Sequence, residues 1–282
     1  MQNTPNIMQL ASREYKLILK ANNFTDKEKG RKEIIDMLKN HFEKNKGKFT
    51  ANDKKAEKKK VGYLDTQTHD LNKRYNFLLR IREEYDGGGK IKGYDITFKN
   101  RNSNKTEAAS FDLSGFQENS NFKFEEHKFE EDIITPFESK FSISTKFKSK
   151  EYPKLDTYKN ITDIFPNLNL DILENERLLK VNGVEVKEFS YDLGNIEYND
   201  AMDGGMQLGI WYDSSKLPII AEFDIDVKAK DLTNSDEIQS NEFPPSKIHE
   251  INEFYMVLQG EKSIVDLDTS KTKTQYVYDF GR

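Results

Sequence analysis

Residues two apart on a β-strand point to the same face, so Leu79-Arg80-Ile81-Arg82 and Glu222-Phe223-Asp224-Ile225-Asp226 each describe a strand with one charged face and one apolar face. A chain holding several such strands must pack the apolar faces together and give the charged faces either water or one another. With 33% of residues charged, the expected core is modest, which disfavours a barrel filled with apolar side chains. Alternation of this kind fits a barrel with a polar lumen and a packed outer face. An ordinary surface-charged protein has the same composition, so the pattern carries the argument and the counts do not.

The pattern extends along the chain. Arg13 to Leu19 alternates and reads as a strand. A helix follows: Thr25 and Glu28 form a capping-box signal, Ile34, Ile35, Leu38 and Phe42 fall at helical spacing, and Gly47 stops the run. Lys54 to Lys60 is a basic run that reads better as a solvated loop than as a phosphate patch. Strands are expected at Gly62 to Thr66, Phe77 to Glu84, Tyr94 to Arg101 and Phe137 to Phe147, with Asp86-Gly87-Gly88-Gly89 turning the second into the third. Gly-Gly-Gly-Lys lacks the spacing and the following helix of a phosphate-binding P-loop. Tyr158 to Glu174 reads as loosely helical. Further strands are expected at Arg177 to Val181, Val184 to Leu193, Gln207 to Tyr212 and Ile219 to Lys228. A helix from near Ser246 then turns Ile248, Ile251, Tyr255 and Leu258 inward, and Gln275 to Phe280 reads as a closing strand. Strand, helix and several strands, occurring twice, is the order a barrel made of two similar halves would give.

Other chemistries are poorly represented. The absence of cysteine removes disulfides, zinc–thiolate sites and thiol nucleophiles. His41, His69, His127 and His249 are scattered without metal or triad spacing. A net charge of −5 argues against a general nucleic-acid or membrane-surface binder. Met1 to Leu19 is interrupted by Arg13, Glu14 and Lys16, unlike a secretory signal, and no run is long enough to span a bilayer, so a soluble cytoplasmic protein is expected.

Several of these pieces together resemble the CYTH, or triphosphate tunnel metalloenzyme, family. They are Tyr63-Leu64-Asp65-Thr66, His69-Asp70-Leu71, Leu79-Arg80-Ile81-Arg82, Ile96-Thr97-Phe98-Lys99, Tyr191-Asp192-Leu193-Gly194, Glu222-x-Asp224-x-Asp226 and Ser270-Lys271-Thr272, in the family's order. The family's N-terminal E-x-E-x-K strand aligns with Ser12-x-Glu14-x-Lys16, in which the first carboxylate is replaced by serine. The resemblance implies one α+β domain over residues 1–282: a closed antiparallel eight-stranded β-barrel tunnel, built from two β-α-β-β-β-like halves, with flanking helices.

It also implies roles. Lys16, Arg80, Arg82, Lys99, Arg177 and Lys271 would grip phosphates, while Glu14, Glu222 and Asp224 would hold Mg²⁺ or Mn²⁺. Asp192, with Glu14, would serve catalysis as a ligand or water-orienting base. The implied activity is metal-dependent hydrolysis of inorganic triphosphate or a small organic or nucleoside triphosphate, with Ser12 weakening one metal position. Two alternatives share the fold: capture of polyphosphate or nucleotide without turnover, and cyclisation of ATP. The partner expected in each case is a small phosphorylated molecule, with no membrane and no specific nucleic acid. Plainer roles stay open at several positions: Asp192 as a turn residue before Gly194, Asp226 as a charge guarding a strand edge, Lys180 as rival to Arg177, and Lys273 as rival to Lys271.

Overall fold

The computed structural model describes residues 10–44, 47–113, 115–198, 202–228, 245–267 and 272–280. In chain order the elements are β1 (Ser12–Leu19), α1 (Lys27–Lys44), β2 (Lys48–Ala51), β3 (Glu57–Asp65), α2 (Asp70–Tyr75), β4 (Phe77–Tyr85) and β5 (Ile91–Asn102). Then follow α3 (Lys105–Ala109), β6 (Lys123–Ile134), β7 (Glu138–Ser149), α4 (Tyr158–Ile164), β8 (Leu179–Tyr198), β9 (Met202–Tyr212), β10 (Pro218–Lys228), α5 (Pro245–Gln259) and α6 (Lys273–Asp279).

Nine strands close a ring in the order β8-β3-β4-β5-β7-β6-β1-β10-β9, with β9 returning to β8. The short β2 pairs with β8 from outside the ring. The barrel is therefore mixed, and the expectation of eight antiparallel strands is corrected. A closed ring with an odd number of strands must contain a parallel neighbour pair, and here β1 and β6 form it. Strands β2 and β6 and the short helices α2 and α3 are missing from the sequence reading, and Glu57–Lys60, expected there as part of a solvated loop, opens β3. The runs Arg177–Val181 and Val184–Leu193 belong to the neighbourhood of one strand, β8, interrupted where Asn182 and Gly183 adopt left-handed backbone.

The outer faces carry the expected apolar packing. Tyr15, Leu17, Leu208, Ile210, Phe223 and Ile225 pack under Leu38 and Phe42 of α1 and Phe254, Tyr255 and Leu258 of α5. Across the barrel, Leu79, Ile81, Ile96, Phe98, Ile143 and Phe147 pack with Ile161 and Phe165. Each fully buried Leu, Ile or Phe side chain contributes about 1.5–3 kcal/mol, so these outer layers supply much of what holds the barrel together. No helix among the described residues is long and apolar enough to cross a membrane.

Asp26 caps α1, its Oδ1 accepting from the Glu28 and Lys29 amides at 3.1 Å each, while the Thr25 hydroxyl donates to Asn22 O. The helix expected over Tyr158–Glu174 stops at Ile164. The strand expected at Gln275–Phe280 is helix α6, started by a capping box in which Thr272 Oγ1 accepts from the Gln275 amide and Gln275 Oε1 accepts from the Thr272 amide.

Helix α6 closes one end of the barrel. Its Val277 and Tyr278 join Val61, Tyr63, Leu78, Val186, Trp211 and Ile220 in an apolar cluster. The Tyr278 hydroxyl donates to Asp65 Oδ2 at 2.9 Å, and Asn182 Nδ2 donates to the carbonyls of Val277 and Tyr278. Asp65 also accepts from the Thr66, Leu71 and Asn72 amides, so the Asp-Thr motif serves as the corner on which α6 is seated.

Candidate functional site

Strand register brings the charged faces together. Arg80 lies opposite Thr97, Arg82 opposite Asp95, Lys99 opposite Ser144 and Arg101 opposite Ser142. Elsewhere on the ring, Glu14 lies opposite both Asp132 and Asp226, Lys16 opposite Asp224, and Ser12 opposite Glu130. Three ion pairs skip an intervening strand: Arg82 to Glu188 at 3.5 Å, Arg101 to Asp132 at 2.6 Å and Lys99 to Glu130 at 3.3 Å. Side chains meet across a skipped strand only on the concave side of a sheet, so these rows face the barrel interior.

The interior charges are segregated in the main, with Asp95 of β5 a buried acid on the basic side, 3.3 Å from Lys146 Nζ. Arg80 and Arg82 on β4, Lys99 and Arg101 on β5, and Lys146 and Lys148 on β7 form a basic arc. Opposite it, Glu130 and Asp132 on β6, Glu14 on β1, and Glu222, Asp224 and Asp226 on β10 form an acidic arc. Three lysines sit within the acidic arc, one of them Lys128 of β6, which pairs with Glu130 and lies 3.9 Å from Glu14 Oε1. Lys16 Nζ lies 2.6 Å from Glu14 Oε2 and 2.8 Å from Asp132 Oδ1; Lys273 Nζ, entering from α6, lies 2.9 Å from Glu222 Oε1. Gly209 makes room for this ammonium, since a Cβ there would lie 2.6 Å from it. Arg80 differs from its neighbours: its Nη2 donates to Thr97 Oγ1 at 3.2 Å, and no carboxylate lies within ion-pair distance among the described residues.

These placements set the protonation states. Burial pushes the Glu14 carboxyl up to about 7 against the opposing pull of Lys16, and Glu130 and Asp132 push it the same way as burial. Burial and then Glu222 push Asp224 well above the usual carboxylate range. Burial acts upward on Asp132 too, but Lys16, Lys99 and Arg101 hold it well below. Glu188 is likewise held far down against burial by Arg82, Lys273 and the Trp211 indole N–H, which donates at 2.6 Å. Burial, and then the adjacent Arg82, lower Arg80.

The signs give stability two flanks. Asp132 and Glu188 contribute above the unfolded carboxylate pKa, and that contribution is lost as pH falls. Glu14 and Asp224 hold protons in the fold that the unfolded chain releases near 4, so stability declines again as pH rises through the folded values, near 7 for Glu14. Glu14→Gln is therefore expected to make the decline between about pH 5 and 7 shallower, measured as urea midpoints in chelator. An unchanged slope would place Glu14 outside this network.

Of the sequence-derived site residues, the barrel gathers Glu14, Lys16, Arg80, Arg82, Lys99, Glu222 and Asp224 inside. Arg177 is not among them. It is exposed, bridged to Thr157 ahead of β8, and Lys180 pairs with Glu185. Asp192 sits at the rim of the barrel mouth, where Asn52 Nδ2 donates to its Oδ2 at 2.6 Å and the Gly194 amide to its Oδ1 at 3.0 Å. The bulge between them gives it the geometry of a turn residue. Lys271 lies outside the described residues; Lys273 is the described lysine of that segment that enters the interior. The interior residues the sequence reading missed include Asp95, Arg101, Lys128, Glu130, Asp132, Lys146, Lys148 and Glu188. The alternating Lys128, Glu130 and Asp132 was the legible signal for three of them.

Whether the acidic arc suits Mg²⁺ or Mn²⁺ turns on its free oxygens. The donors are of the right chemical type, and Asp224 Oδ1 and Asp226 Oδ1 are buried without hydrogen-bond partners. Yet no three carboxylates among the described residues converge on a point where a cation could sit. Lys16 and Lys273 occupy the carboxylates of Glu14 and Glu222 instead. As arranged, these residues do not form a metal centre.

What fold and site define together is a closed, mixed β-barrel with a two-signed interior, blocked at one end by a helix. No protein-family model matches the chain, and no curated protein matches it either.

Proposed function

We propose that the barrel interior binds a linear triphosphate, its phosphates lying along the basic arc. The observation that carries this reading is the segregation of the interior charges, with Arg80 lacking a carboxylate partner on the basic side. Phosphate oxygens would accept charge-assisted hydrogen bonds from Arg80, Arg82, Lys99 and Arg101, releasing carboxylates that now neutralise three of these cations. The resemblance to the triphosphate tunnel family supports the same substrate and adds hydrolysis of the bound triphosphate with a divalent cation.

A second reading, capture without turnover, is favoured by one feature. Lys16 and Lys273 already neutralise the carboxylates a divalent cation would need, and Ser12 stands where the family places a further one. The readings separate in one experiment: calorimetric titration with tripolyphosphate, followed by phosphate and cyclic AMP assays on tripolyphosphate and ATP with Mg²⁺ or Mn²⁺. Binding with phosphate release supports hydrolysis, and binding without product supports capture. An absence of binding at millimolar ligand sinks both.

A further inference from the structure

At the mouth opposite α6, a cavity of about 360 Å³ opens between β8, β9 and β10, and its lining includes Asn195, Gly205, Gln207, Asp226 and Asp192. Its volume falls in the range of small-molecule sites, roughly 300–1,000 Å³. Asp226 follows Asp224 along the same face of β10, so the cavity continues the acidic arc outward. We propose that this cavity seats the ribose of a nucleoside triphosphate whose phosphates occupy the interior. The proposal rests on the triphosphate reading above and narrows its substrate class.

Four observations carry it. The barrel is blocked at the α6 end, so a linear ligand enters phosphate-first and its organic end stops at the mouth. The wall there is bare: a Cβ on Gly205 would meet nothing nearer than Asn195 Oδ1 at 3.8 Å. The carboxamides of Asn195 and Gln207 are exposed to the cavity. Asp226 Oδ1 is buried without a hydrogen-bond partner, and its other oxygen lies 3.8 Å from Lys228 Nζ. A carboxylate oxygen and two carboxamides are the groups that bind sugar hydroxyls, as carboxylates bind ribose in dinucleotide sites. No aromatic ring lines the cavity among the described residues, so a base there gains no stacking, and affinity is indifferent to base identity.

The test is calorimetry with Mg²⁺ present, using ATP, CTP, 2′-deoxy-ATP and tripolyphosphate. Wild type is expected to bind ATP and CTP within about threefold of each other and 2′-deoxy-ATP several-fold more weakly, the ordinary scale of one lost hydrogen bond. Gly205→Leu fills the cavity from an unstrained position, so ATP affinity should fall at least tenfold while tripolyphosphate affinity stays within about twofold. Gln207→Ala, an exposed change, should weaken ATP several-fold and guards against misfolding of the leucine variant. Equal losses for ATP and tripolyphosphate, or no loss of either in both variants, overturns the ribose assignment and leaves the triphosphate reading standing. Failure of wild type to bind any of the four overturns both.

Discussion

Asp132→Ala is expected to cost about 3–5 kcal/mol of unfolding free energy, the range for removing one partner of a buried, hydrogen-bonded ion pair. Asp132 is 1% exposed and holds two cations, Lys16 at 2.8 Å and Arg101 at 2.6 Å, and alanine leaves both without it. The same change frees cations for an anionic ligand. Tripolyphosphate should therefore raise the urea midpoint of Asp132→Ala more than that of wild type, because it replaces the lost charge. A loss below about 1 kcal/mol would mean that water, and not this carboxylate, neutralises the interior cations.

The second large effect concerns Ser12. This residue is 3% exposed, its Oγ lies 3.4 Å from Glu130 Oε1, and its hydroxyl also supports Asp226. Ser12→Glu would add a carboxylate to a row already carrying Glu14, Glu130 and Asp226. Crowding alone costs about 1–3 kcal/mol, and like charge adds to it, so a loss of about 2–4 kcal/mol is expected in chelator. The added oxygens should also make Mn²⁺ stabilise the variant more than wild type, measured as the shift in thermal midpoint with metal. Unchanged stability in chelator would show that residue 12 does not share the inward row with Glu14.

The interior was legible wherever strand alternation was clean. Arg80 with Arg82, Glu14 with Lys16, and Glu222 with Asp224 each follow period two between apolar residues, and register placed them inside as expected. Strand β6 was missed because Glu125 with Glu126 and Glu130 with Glu131 put acids on both faces, and a bulge between Phe124 and Glu126 shifts the phase. Missing it hid Glu130 and Asp132, and with them the odd strand count that forces the parallel pair. Helix α6 was misread because a run of about six residues fits either period, although Thr272 and Gln275 carried the capping signal. Arg177 illustrates the reverse failure: proximity in sequence to β8 did not put it on the strand, and only Leu178 beside it is buried. Pairs such as Arg82 with Glu188 depend on barrel closure, which no local pattern encodes.

The central claim, that the barrel interior is a polyphosphate site, is tested most directly by titrating tripolyphosphate into wild type, Arg80→Ala and Lys54→Ala at two ionic strengths. Arg80 is an interior cation without a carboxylate partner, whereas Lys54 is exposed on the loop before β3. Losing a charge-assisted contact of about 1.5–3 kcal/mol should weaken Arg80→Ala at least tenfold at both salt concentrations, with no loss of folding stability. Lys54→Ala should stay within about twofold of wild type, because screening removes what little a surface lysine contributes. Equal weakening by the two substitutions, or binding in wild type that vanishes at the higher salt, would contradict an interior site.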